Sequence, residues 1–146
     1  MLPVLAARTA AVVMVGIAAF QVALVVGAPW GAYTQGGKTE GVLDTSGRVV
    51  AAVSCAILLV MASAILARVR EGPLKNAPGR LVTALAWSTT IYAALAVVLN
   101  LATRSSSERA VFAPTAILLV VLVVTTMVGS RDGEEQHGRP KRGSRS

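Results

Sequence analysis

The residues able to do chemistry are few, and their spacing excludes most of it. Cys55 is the single cysteine, so the chain has no intramolecular disulfide, redox pair or thiolate zinc cluster. His137 is the single histidine and lies among charged residues near the C-terminus. The carboxylates Glu40, Asp44, Glu71, Glu108, Asp132, Glu134 and Glu135 all fall between or after the apolar stretches. A proton-coupled transporter normally keeps an acid inside the membrane. An intramembrane serine hydrolase needs a base beside its nucleophile, and a metal site needs converging ligands. No apolar stretch holds any of these sets, so the sequence predicts no enzyme, no cofactor and no metal. What remains is a polar group predicted to gather at one face: Gln21, Trp30, Glu40, Arg48, Asn100, Arg104, Glu108 and Arg109. Two chemistries suit its charges, joined by Lys38 and Asp44. One is ion pairing between two loops; the other is capture of an anionic headgroup by the arginines. Ion pairing is the simpler expectation.

The elements that must position this group are apolar. Of 146 residues, 54% are hydrophobic and 14% charged, against about 25% charged in a soluble domain. A bilayer core needs about 20 apolar residues as a helix. Four stretches qualify, at about 4–28, 49–67, 81–102 and 110–128. The fold class predicted is all-α, a four-helix transmembrane bundle occupying residues 1–129. The first stretch exceeds a signal-peptide core, and Pro29 would follow the small residues of a cleavage site, so it is read as a retained span. Residues 130–146 lack apolar periodicity and are expected to form a disordered basic tail.

Lysine and arginine counts predict the orientation. Arg8, the 69–80 segment with Arg68, and the tail hold ten basic residues. The 29–48 loop and the short loop after residue 102 hold four. The positive-inside rule then puts both termini in the cytoplasm of a multi-pass cell-membrane protein. The net charge of +7 becomes a topology signal, with anionic lipid headgroups as partners of the inner loop and tail. No nucleic-acid partner is expected.

The 29–48 loop carries glycines 31, 36, 37, 41 and 47. Trp30 and Tyr33 suit an interfacial aromatic belt; a sharper reading has Pro29-Trp30-Gly31 pack as a short cap on the bundle. Ser105-Ser106-Ser107-Glu108 has the form of a capping box, in which Ser105 takes a first-turn amide and Glu108 reaches back. Pro114 is expected to bend the last helix. Small residues at fourth positions (Ala19, Ala23, Gly27; Ala52, Ala56; Ala86, Thr90, Ala94) predict close packing of the first three helices. The bulky run 117–124 predicts a fourth helix facing more lipid. Helical rise puts Gln21, Ser54, Cys55 and Thr115 in one layer, with Asn100 higher. Interhelical hydrogen bonds are the simpler use of these groups; a small polar pocket is the other.

Two blocks carry a resemblance. One is Ala28-Pro29-Trp30-Gly31 with Gly36-Gly37, Gly41-Val42-Leu43 and Arg48. The other is Asn100-Leu101-Ala102-Thr103-Arg104-Ser105 with Glu108-Arg109 and Pro114. With the spacing of the four spans, they resemble an uncharacterised family of small four-span membrane proteins common in actinobacteria. That family typically has Asn-x-x-Ser-Arg-Ser-x-x-Glu-Arg, and Thr103 stands here for its first serine. The resemblance implies a fold and no activity, and directs attention to the outer loops. The function expected is that of a non-enzymatic accessory or interaction protein of the cell envelope, with a membrane-protein partner or a second copy. The alternative is a small oligomeric permease or lipid-binding protein.

Overall fold

The structure is a computed structural model that describes residues 1–138, with side chains through Ser130. It contains four long helices: α1 (Leu2–Val25), α2 (Thr45–Arg68), α3 (Gly79–Ala102) and α4 (Ser106–Gly138). Two short 3-10 turns, Gly31–Tyr33 and Gln35–Gly37, lie between α1 and α2. Each helix has a stretch long and apolar enough to cross a membrane. Helices satisfy their own backbone groups, which lipid cannot do for them. The last helix continues to Gly138, beyond the end near residue 128 that loss of apolar periodicity predicts. Of the expected disordered tail, 139–146 lies outside the described residues.

The helix ends follow from local chemistry. Asp44 caps α2, its Oδ1 accepting from the Gly47 amide at 2.8 Å, as a helix N-cap should. Both α1 and α2 end in Schellman motifs. In α1, Gly27 N–H donates to Leu24 O and Ala28 N–H to Ala23 O, with Gly27 at φ +101°. In α2, Arg70 and Glu71 donate to Ala67 O and Leu66 O, and Arg70 takes the left-handed position at φ +61°.

The helices pack in ring order, α1 on α2, α2 on α3, α3 on α4 and α4 on α1. Inward residues recur at steps of three, four or seven, which return to one face of a helix. They are Ala7, Ala11, Met14 and Ala18 on α1; Ala51, Leu58, Ala62 and Ile65 on α2; Val82, Ala86, Thr89 and Ala93 on α3; and Ala116, Leu119, Val123 and Met127 on α4. Such seams keep one helix face inward along its length. The alanines let α1 and α2 approach closely, and larger residues fill the centre.

This corrects the predicted packing. The fourth helix is as deeply packed as α1, with 33% of its span buried in each case, while α3 is the most exposed at 22%. Ala19, Ala52, Ala56 and Ala94 face outward. In alanine-rich helices, small residues recur on several faces. The few large side chains that can fill the centre decide which face turns in.

At Asn100 and Thr115, two of the groups expected to bond between helices, the hydrogen bond stays within one helix. Ser63, Thr89, Thr90, Thr115 and Thr126 each donate to the carbonyl four residues back in their own helix, at 2.7–2.9 Å. That carbonyl is always within reach, so the polar group needs no partner helix.

Candidate functional site

The two loop blocks, distant in sequence, meet at one end of the bundle. Gly36 N–H donates to Glu108 Oε2 at 3.0 Å across 72 positions. Thr103 Oγ1 donates to the same oxygen at 2.7 Å. Ser105 Oγ donates to the Ala32 carbonyl at 2.8 Å and accepts the Glu108 amide at 3.1 Å. The predicted capping box is therefore half formed. Ser105 caps α4, but the Glu108 carboxylate accepts from the Gly36 amide of the other loop and from the Thr103 hydroxyl of its own. Thr103 retains the hydroxyl that serine would supply.

The glycines of the first block make this cap possible. Gly31 is buried and donates to the Gly41 carbonyl at 2.8 Å. A Cβ on Gly31 would collide with the Thr39 carbonyl oxygen and lie 2.8 Å from that of Gly41. Gly37 takes φ +66°, and a Cβ there would lie 2.8 Å from Ser105 Cβ. Trp30 stacks on Phe20 with ring centroids 5.9 Å apart and planes 5° apart; Phe20 in turn meets Phe112 at 5.3 Å. Trp30 is still 44% exposed. The loop is thus a cap resting on the bundle, with one tryptophan face outward.

Beneath the cap is a cavity of about 190 Å³. Gln21, Asn100 and Thr115 line it, with Tyr33 and Thr34 of the cap, Tyr92 of α3, and Glu108 and Phe112 of α4. Ala96 and Asn100 continue the inward seam of α3, as Gln21 continues that of α1, so the cavity lies where the seams turn polar. The Asn100 amide nitrogen donates to Ala96 O at 2.7 Å, which leaves its Oδ1 as an acceptor. A neighbouring groove of about 530 Å³ shares Tyr92, Ala96, Asn100 and Glu108 and runs out past Leu95 and Leu99, both exposed. On the other side the cavity is blind. Ile17, Leu58 and Leu119 form its floor, and Met14, Ile65 and Val123 beyond them are at most 1% exposed.

Of the eight predicted site residues, the structure brings Gln21, Asn100 and Glu108 into one cavity, while Trp30 sits in the cap against Phe20 and outside the cavity lining. Arg48 lies on the cap's flank, where Nε donates to the Leu43 carbonyl at 3.1 Å and the guanidinium approaches Gly27. Glu40, Arg104 and Arg109 stay exposed on the rim. Ser54 does not line the cavity, and Cys55 packs on the apolar core. The predicted ion pairing between these loops does not form among the described residues, whose single ion pair is Arg8–Glu71 at 2.7 Å. Asp44 and Glu108 hold backbone amides and hydroxyls instead. The Gly47 amide, and then the Ser46 hydroxyl, hold the Asp44 carboxyl below its usual range. Sequence reasoning missed Tyr33, Thr34 and Tyr92. Their aromatic and hydroxyl character was visible, but not that the loop folds back over α3 and α4.

No protein-family model, curated protein or solved structure matches this chain. The class defined by fold and site is that of an all-helical membrane protein with four candidate spans, a cap at one end, and a blind polar cavity beneath it.

Proposed function

We propose that this protein is a non-enzymatic accessory of the cell membrane that acts through its capped end, on a membrane-protein partner or a second copy. The observation that carries this reading is the locking of two distant loops around Glu108. It orders a surface whose remaining polar residues, Glu40, Arg104 and Arg109, have no internal partner among the described residues. Asp44 and Glu108 are occupied in holding the backbone, which leaves the exposed rim for contact. The excess of basic residues at the opposite end supports a cytoplasmic placement of that end and of both termini.

Photo-crosslinking in cells tests the reading. A photoreactive residue at Lys38 or Val42, both exposed on the cap, should yield discrete protein adducts. The same residue at Leu118 or Val121, exposed on the bundle's flank, should yield lipid adducts. Glu108→Ala should erase the cap adducts. Lipid adducts alone from all four positions would contradict the proposal.

The cavity favours one second reading, binding of a small amphiphile. Its polar lining meets a groove that opens onto the apolar flank. Its packed floor supports binding over permeation. Under this reading Gln21→Ala and Asn100→Ala lower amphiphile affinity, measured with purified protein in liposomes; unchanged affinity in both would remove it.

A further inference from the structure

The end opposite the cap carries a second cavity, of about 700 Å³, between the last turn of α2, the 69–78 connector and the first turns of α3. Four cationic side chains line it: Arg68, Arg70, Lys75 and Arg80. No carboxylate among the described residues lines it. Glu71, the connector's acid, is turned away to Arg8, which donates through Nε and Nη2 at 3.0 and 2.7 Å. We propose that this cavity is a binding site for a phosphate group.

Its parts are held in place. Arg68 donates from Nη1 to Thr83 Oγ1 at 3.2 Å, and from Nε and Nη2 to Ser130 Oγ at 3.2 and 2.9 Å. Neutral hydroxyls thus orient the guanidinium without cancelling its charge, and a planar fork so placed suits phosphate oxygens. Arg70 occupies the left-handed position of the α2 Schellman motif. At the equivalent place α1 has Gly27, the residue that position favours on steric grounds. A stability-driven choice would be glycine; arginine adds a cation to the cavity instead. The N-terminus of α3 opens on the same space. Pro78 gives it no side-chain cap, and Gly79 lines the cavity, so the positive end of a 24-residue helix adds to the field. Because Arg68 ends one candidate span and Gly79 begins the next, the cavity sits at the level of lipid phosphates. An anionic phospholipid headgroup and a soluble phosphate compound share the chemistry, and the experiment separates them.

The full chain, purified in zwitterionic detergent, is titrated with short-chain phosphatidylglycerol, the matching phosphatidylcholine and inorganic phosphate. Phosphatidylglycerol should bind and phosphatidylcholine should not. Lys75→Gln and Arg80→Gln should each weaken phosphatidylglycerol about fivefold, and the cap-end variant Lys38→Gln should leave it unchanged. Arg70→Gly separates charge from structure, since it should weaken binding while raising the Tm by relieving the left-handed backbone. Displacement of the lipid by millimolar inorganic phosphate assigns the site to soluble phosphates, and persistence assigns it to headgroups. Equal losses in the cap-end control would overturn the proposal. So would binding that appears only after Asp132, Glu134 and Glu135, which follow Ser130 in sequence, are neutralised. None of these outcomes depends on the cap or its partner.

Discussion

At the scale of single residues, the cap depends on glycines that allow close approach and on acids that hold backbone. Gly31→Ala places a methyl group against two carbonyl oxygens that cannot rotate away. Overpacking of this kind costs about 1–3 kcal/mol, so the variant should melt earlier and expose the 29–44 loop to protease. Protection equal to wild type would show that the loop does not pack as described. Asp44 makes a pH-dependent contribution. Its carboxyl is held below the usual range by the Gly47 amide and the Ser46 hydroxyl, so folding favours the charged form. The stabilisation is complete above the ordinary carboxylate range and is lost as pH falls through the lowered folded value. Glu71 has the same sign, because the Arg8 hydrogen bond lowers its pKa. The Tm of wild type in detergent should fall as the pH drops below about 5, the ordinary carboxylate range, and Asp44→Asn should flatten part of that fall.

At the scale of elements, the helices were legible from apolar length alone, because lipid leaves a 20-residue apolar stretch no alternative to helix. Their inward faces were not. Ala19 and Ala94 look as suitable for contact as Ala18 and Ala93, and a one-residue shift rotates the face by about 100°. Only the three-dimensional fit of Met14, Leu58, Ile65, Leu119 and Val123 distinguishes them. Leu119 is 4% exposed and Leu118 is 48% exposed, which makes them a matched pair on α4. In lipid the water-transfer part of a leucine truncation vanishes, leaving the packing part. Leu119→Ala should therefore cost about 2 kcal/mol, the low end for buried leucine, and Leu118→Ala much less. Equal Tm losses in detergent would mean that α4 is rotated from the face described.

At the scale of the whole molecule, the chain divides into a capped end, an apolar middle and a basic end. The sequence showed the charge asymmetry, since Arg68, Arg70, Lys75 and Arg80 cluster within 13 positions. It also showed Glu108 and the glycines as notable. It did not show that Gly36 meets Glu108, because a contact across 72 positions leaves no local pattern. It misassigned Asp44 to an ion pair because charge alone does not tell a capping carboxylate from a paired one. If the basic end faces the cytoplasm, an impermeant thiol reagent on intact cells, with Cys55→Ser as background, should label Lys38→Cys and spare Lys75→Cys. Labelling of both from one side would break the proposed topology.

The joining of the two loop blocks into one cap is the claim on which the rest depends. It is tested most directly in native membranes with a short bifunctional thiol crosslinker on Lys38→Cys and Ser106→Cys, again in a Cys55→Ser background. Both positions are exposed and flank Gly37 and Ser105, which lie against each other, so neither substitution removes a contact that joins the loops. A rapid intramolecular crosslink, absent from either single cysteine, is the expected result. Two thiols that are never joined by the crosslinker and label independently would contradict the cap.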